Sequence, residues 1–136
     1  MSARLEQTYR AYLDALNERR FDEVGRFLQD ELTYNDSVIT REQYVAARVE
    51  DVRVIPDVRF DPHLLVVGDD HVACRLWFDC TPRHAFLGVE ATGRRITFAE
   101  HVFYRFRDDR IEHVWSLLDV DAIRRQLTVP AAARPD

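Results

Sequence analysis

The sequence predicts an α+β fold, and three observations lead there. Apolar residues recur at spacings of three and four in the first third of the chain, which is the helical period. From Val54 onward they alternate at period two, as in strands with one buried face. Gly68-Asp69-Asp70 and Asp108-Asp109 then cut that second part into consecutive antiparallel strands. Three N-terminal helices packed in a strongly curved antiparallel sheet leave a cone, and its open end is the natural pocket.

Residues 3–19 place Leu5, Tyr9, Tyr12, Leu13 and Leu16 on one stripe and read as an amphipathic helix. After a break at 17–21, a second helix spans about 22–28 and buries Val24, Phe27 and Leu28. Residues 31–36 form a short strand that ends in a polar turn. Thr40, with Gln43 three residues on, forms a capping box for a third helix, which carries Tyr44, Val45 and Val49 and ends near Val52. From Val54 a strand begins, with Val58 and Phe60 alternating with Asp57, Arg59 and Asp61, and 64–67 continuing it. Residues 71–81 are the next strand, with Val72, Cys74, Leu76 and Phe78 in phase.

The connection 82–93 is long for an idle loop and is expected to fold over the mouth of the cone. A long hairpin follows. Its first arm, 95–107, turns Ile96, Phe98, Val102, Tyr104 and Phe106 to one face; its return arm, 110–118, carries Ile111, His113, Trp115 and Leu117 in one phase. Asp119 suits the N-cap of a short last helix with Ile123 and Leu127 inward, and 128–136 reads as a flexible tail. The length fits one domain over 1–136, with its core at 5–127.

A chain that is 46% hydrophobic and 32% charged can bury a proper core. Its net charge of −5 argues against nucleic acid as a partner, because that role needs a basic face. No run of about twenty apolar residues exists to span a membrane. Residues 1–10 are polar and helix-patterned, unlike a secretory signal, so a cytoplasmic setting is expected. Cys74 and Cys80 lie on one strand, roughly 20 Å apart if it is straight, which excludes a disulfide and leaves two small buried residues. No Cys/His spacing suggests a metal, no glycine-rich phosphate loop appears, and no cofactor is expected.

Several strings carry a family resemblance: Ile55-Pro56-Asp57-Val58-Arg59-Phe60, Gly68-Asp69-Asp70-His71-Val72-Ala73, and Phe86-Leu87-Gly88-Val89 with Thr92-Gly93-Arg94-Arg95. Tyr104-Arg105-Phe106 and Arg110-Ile111-Glu112 follow, with Val114-Trp115-Ser116 and Asp119. In this order they resemble the nuclear transport factor 2-like superfamily, and within it the SnoaL-like polyketide cyclase and ester cyclase branch. The resemblance covers about 5–127 and implies a cofactor-independent cyclase of natural-product biosynthesis. That fold also hosts epoxide hydrolases, isomerases and non-enzymatic binding proteins.

Two departures stand out. SnoaL-like cyclases usually show His-Trp-Asp in the return arm, with the His and Asp in the pocket, where this chain has Val114, Trp115 and Ser116. A Gly-Thr-His of related chains is matched by Cys80-Thr81-Pro82.

Glu100 interrupts the apolar face of the first hairpin arm between Phe98 and Val102, so burial should raise its pKa into a useful acid/base range. The alternative is a rim or dimer-interface glutamate paired with an arginine. His101 is the neighbouring candidate acid/base, although a regular strand points it outward. Asn35, where relatives often present Asn or His, is a candidate to orient a substrate carbonyl, or else a plain turn residue.

Tyr12, Tyr44, Phe78, Phe86, Leu87, Tyr104, Trp115 and Ser116 are expected to contact an apolar small-molecule substrate, though such tyrosines also serve as core. Asp79 and His84 are lesser candidates. A homodimer through the outer sheet face is expected.

Overall fold

The computed structural model describes residues 2–128. Helix α1 (Ser2–Asn17) is followed by α2 (Phe21–Val24) and a 3-10 turn at Gly25–Phe27. Strands β1 (Leu28–Tyr34) and β2 (Ser37–Thr40) form a hairpin that leads into α3 (Arg41–Val54). Then come β3 (Asp61–Val67), β4 (His71–Cys80), β5 (Ile96–Arg107), β6 (Arg110–Leu118) and α4 (Val120–Thr128). The fold is α+β as expected. The flexible tail expected at 128–136 lies, beyond Thr128, outside the described residues.

The six strands form one sheet in the order β2-β1-β6-β5-β4-β3. Every pair is antiparallel except β1 with β6, which is parallel. That one pair follows from the connection, because α3 and four strands separate β1 from β6 in the chain. One core fills the concave side: Tyr9, Tyr12, Leu13 and Leu16 from α1 meet Val72, Leu76, Phe98, Tyr104 and Ile111 from the sheet.

Local chemistry explains most boundaries. The Thr40–Gln43 capping box is present in both directions, which fixes the start of α3. The Asp119 carboxylate accepts the Ala122 N–H at 3.1 Å and caps α4. Asp108 and Asp109 both take left-handed φ, 54° and 62°, as a two-residue hairpin turn of matching twist requires.

Four boundaries differ from expectation. The chain after Val24 tightens into the 3-10 turn and then extends, so Leu28 starts β1 instead of ending a helix. Strand β2 goes unseen in the sequence because none of its four residues is buried and they lack alternation. Helix α3 runs through Val54, and the strand begins only at Asp61. Val58 and Phe60 are buried although the segment 55–60 is irregular: Asn17 grips Phe60 at both backbone groups, at 2.7 and 3.0 Å. Finally, Ile111 is buried while His113 and Trp115 face outward. Phe106 pairs with Ile111 but Arg105 with His113, so Glu112 is the extra residue of a bulge that reverses the phase of β6.

Candidate active site

The concave side of the sheet encloses a cavity of about 300 Å³. Phe60, Phe78, Phe98, Leu76 and Val102 form much of its wall, with Tyr12, Tyr44 and Tyr104 deeper in the core. Phe86 and Leu87 close one side. They sit on a two-residue turn in which Phe86 and Val89 exchange both backbone hydrogen bonds, at 2.8 and 3.0 Å. Leu87 is held there at φ 54°, a left-handed conformation that costs about 1 kcal/mol in a residue with a side chain. Part of the 82–93 connection therefore serves as wall, as expected of a lid.

Glu100 lines this cavity from β5, on the same face as Phe98 and Val102. It keeps some accessible surface because it faces the cavity, yet protein surrounds it closely. Desolvation consequently raises its pKa; the Ser116 hydrogen bond and the charge of Arg48 pull the other way, and Asp51 adds to the rise. The Ser116 hydroxyl donates to Oε2 of Glu100 at 2.5 Å. Among the described residues no other side chain donates to Glu100, and no arginine forms a salt bridge with it. Expected pairing with an arginine is thus reduced to the longer-range field of Arg48.

Asn35 also lines the cavity, in the turn after β1 with φ 52°. Its side-chain oxygen accepts the Ser116 N–H at 2.8 Å, and its own N–H donates to the Val114 carbonyl at 2.7 Å. Asn35 therefore locks the Ser116 backbone in place and presents its remaining amide group at the cavity edge.

Two expected site residues lie elsewhere. His101 is exposed on the outer face, where its Nε2 meets Arg75 at 2.6 Å. Strand β5 stays regular there, so no bulge turns the imidazole inward. Trp115 is on the outer face too, stacked on His113 with ring centroids 3.7 Å apart and beneath Arg105. Alternation along β6 places Val114 and Ser116 inward and Trp115 outward. Asp79 pairs with Arg95 on the surface.

The sequence reading missed Arg48, Asp51 and Tyr34, all in the cavity lining. Arg48 donates from Nε to Asp51 at 2.8 Å, and its guanidinium carbon lies 4.8 Å from the Tyr44 ring centroid. Burial raises the Asp51 pKa, and Arg48 offsets part of that rise. Tyr44, Arg48, Asp51 and Ile55 recur at spacings of four, three and four, so the helical period that exposes Val49 at 44% holds the signal. Tyr12 and Tyr44 meet hydroxyl to hydroxyl at 2.5 Å. Burial pushes Tyr12 well above the usual phenol range and raises Tyr44 as well.

A family model for SnoaL-like polyketide cyclase matches residues 6–127. The chain belongs to the SnoaL-like polyketide cyclase family. A SnoaL-like polyketide cyclase from Agrobacterium tumefaciens strain C58 is 45% identical over 90% of this chain and 97% of that one, with a TM-score of 0.86. TsrD from Streptomyces laurentii is 25% identical over 94% and 97% of the two chains, with a TM-score of 0.84. IdmH from Streptomyces antibioticus, a candidate polyketide cyclase, shares the fold at 21% identity over 92% and 99%, with a TM-score of 0.80. No curated protein sequence matches the chain. Membership supports a cyclase-type role.

Both cysteines are buried and free. Burial pushes the Cys80 thiol up to about 12, which leaves it inert as a nucleophile. Among the described residues, no helix is long and apolar enough to cross a membrane, and no cluster of three or more His, Cys, Asp or Glu is placed to hold a metal ion.

Proposed function

We propose that the protein is a cofactor-independent cyclase that closes a ring within an apolar natural-product intermediate, with Glu100 as the proton-transfer group. One observation carries this reading: a desolvated carboxylate with no arginine bridge faces a mostly apolar cavity of about 300 Å³. Such a carboxylate is a stronger base when ionised and a usable acid nearer neutral pH. It takes a proton from the carbon beside a carbonyl, the resulting enolate attacks a second carbonyl of the same molecule, and the proton returns to the new alkoxide. Atoms balance and no redox partner enters. Ser116 orients Glu100, and the Asn35 amide is placed to steer a substrate oxygen.

A second reading rests on the Arg48–Asp51 pair in the same cavity. A second carboxylate beside a cation is what acid-assisted opening of an epoxide calls for, with water or an internal hydroxyl as nucleophile. Purified protein incubated with linear poly-β-carbonyl esters and hydroxy-epoxides discriminates the options by mass. A cyclic isomer of unchanged mass supports the cyclase, and a product heavier by one water supports the hydrolase. Tight binding with no chemical change, indifferent to Glu100→Gln, would reduce the protein to a carrier.

We also propose that a second copy covers the outer sheet face. Phe103 and Leu117 are 53% and 78% exposed there, beside the half-buried Trp115.

A further inference from the structure

We propose that Arg48 and the Tyr12–Tyr44 pair form an oxyanion subsite, so that the substrate presents a negative oxygen, carboxylate or enolate, on a flat apolar body. It deepens the cyclase reading by naming the substrate's charged group, and it rests on that reading only for the cavity being the substrate site.

Arg48 is a permanent cation with its side chain only 16% exposed. A cation so placed needs partners: Nε donates to Asp51 at 2.8 Å, and the Tyr44 side chain lies beside the guanidinium. That bond and the Tyr44 ring, 4.8 Å from the guanidinium carbon, fix the plane of the fork. Among the described residues, no carboxylate meets its two terminal nitrogens. Their N–H groups form the rigid pair that suits a carboxylate or another oxygen anion.

The tyrosine pair points the same way independently. Tyr12 and Tyr44 are 1% and 2% exposed and share one short hydrogen bond. Whichever hydroxyl donates in it, the proton of the other has no acceptor among the described residues. A buried donor without an acceptor is costly, and a substrate oxygen in the cavity would satisfy it.

Both features meet on one wall. Glu100 lines the same cavity, so an anion bound at the fork shares it with the group proposed to move the proton. Tyr34, Asn35, Tyr44 and Arg48 further line an adjoining cavity of about 420 Å³, which gives a longer substrate room past the subsite. The aromatic wall of Phe60, Phe78, Phe86 and Phe98 favours a flat body.

The test is binding, with no turnover needed. Calorimetric titration compares 2-naphthoate with the neutral 2-naphthamide, and fluorescence reports whether 2-naphthol ionises when bound. The naphthoate is expected to bind at least about tenfold more tightly than the amide. Arg48→Met should abolish that preference, and Arg48→Lys should restore part of it. Acid preference that depends on Arg48 assigns a carboxylate, whereas ionisation of bound naphthol alone assigns an enolate.

Equal affinity of the wild-type protein for acid and amide, with bound naphthol neutral, overturns the proposal without recourse to any variant. So does an acid preference that survives Arg48→Met. A Glu100→Gln protein that still turns over would sink the catalytic role of Glu100 and leave the subsite standing.

Discussion

Glu100→Gln should raise stability at neutral pH and remove turnover together. In the folded chain the Glu100 pKa is raised, chiefly by desolvation. Its stabilising contribution is therefore fully present below the ordinary carboxylate range and is lost as pH rises through the folded value. Above that value the folded protein carries a charge it would rather shed, and glutamine does not. The Ser116 hydroxyl keeps an acceptor in the glutamine oxygen, so the substitution removes the charge and little else.

Each tenfold change in an ionisation equilibrium corresponds to about 1.4 kcal/mol, and loss of the Arg48 attraction offsets part of the gain. A net gain of about 1 kcal/mol at pH 8 is expected, or a Tm higher by roughly 2–6 °C. The gap should close at a pH near 4, below the raised value. Thermal denaturation of both proteins across that pH range measures it, beside a turnover assay. A variant less stable at pH 8 than the wild type, or a gap indifferent to pH, would show that Glu100 is a satisfied structural carboxylate and would refute the reasoning.

Three further outcomes follow from the geometry. Asn17→Ala strips both backbone partners from Phe60 and should cost about 2 kcal/mol, lowering Tm by roughly 5–10 °C in a melting experiment. Leu117→Arg places a charge in the exposed apolar part of the outer face and should convert a dimer to monomers in sedimentation; a wild-type monomer would end the dimer reading. In the Glu100→Gln background, Ser116→Asp returns a carboxylate to the same part of the cavity, and partial recovery of turnover is expected.

The sequence carried the sheet and most of the helices because both periods are local. Alternation from Ile96 to Phe106 survives in the structure, interrupted only by Ala99, which is buried out of phase, and by the half-buried Glu100. Where it misled, a long-range contact had overruled the local pattern. Val58 and Phe60 alternate like a strand but are buried by the Asn17 clamp, in irregular backbone. Ile111 joins the core through a bulge that no composition rule announces. The site divides in the same way. Glu100 was legible as a charge in an apolar phase, whereas Arg48 and Asp51 sit on a helix where charges are ordinary. Val45 does pack, half-buried, against the core, but Val49 suggested an inward stripe rotated too far, since what fixes the rotation of α3 is Tyr44 packing on Tyr12 and Tyr34 across the fold.

That division bears on where the family's acid has gone. The SnoaL-like pattern puts an aspartate at the position held by Ser116, and its absence alone would suggest lost chemistry. Ser116, however, faces the cavity and donates to Glu100 at 2.5 Å from the adjacent strand. Val102 pairs with Ser116, so Glu100 is the diagonal neighbour on the same face, a position from which long side chains meet. Glutamate is one methylene longer than aspartate, which suits the reach across to the neighbouring strand. A carboxylate thus stands within one hydrogen bond of the serine that replaces the acid, in an environment that raises its pKa. Such an arrangement favours relocation of the acid over its loss, and the paired Glu100→Gln and Ser116→Asp substitutions address that difference directly.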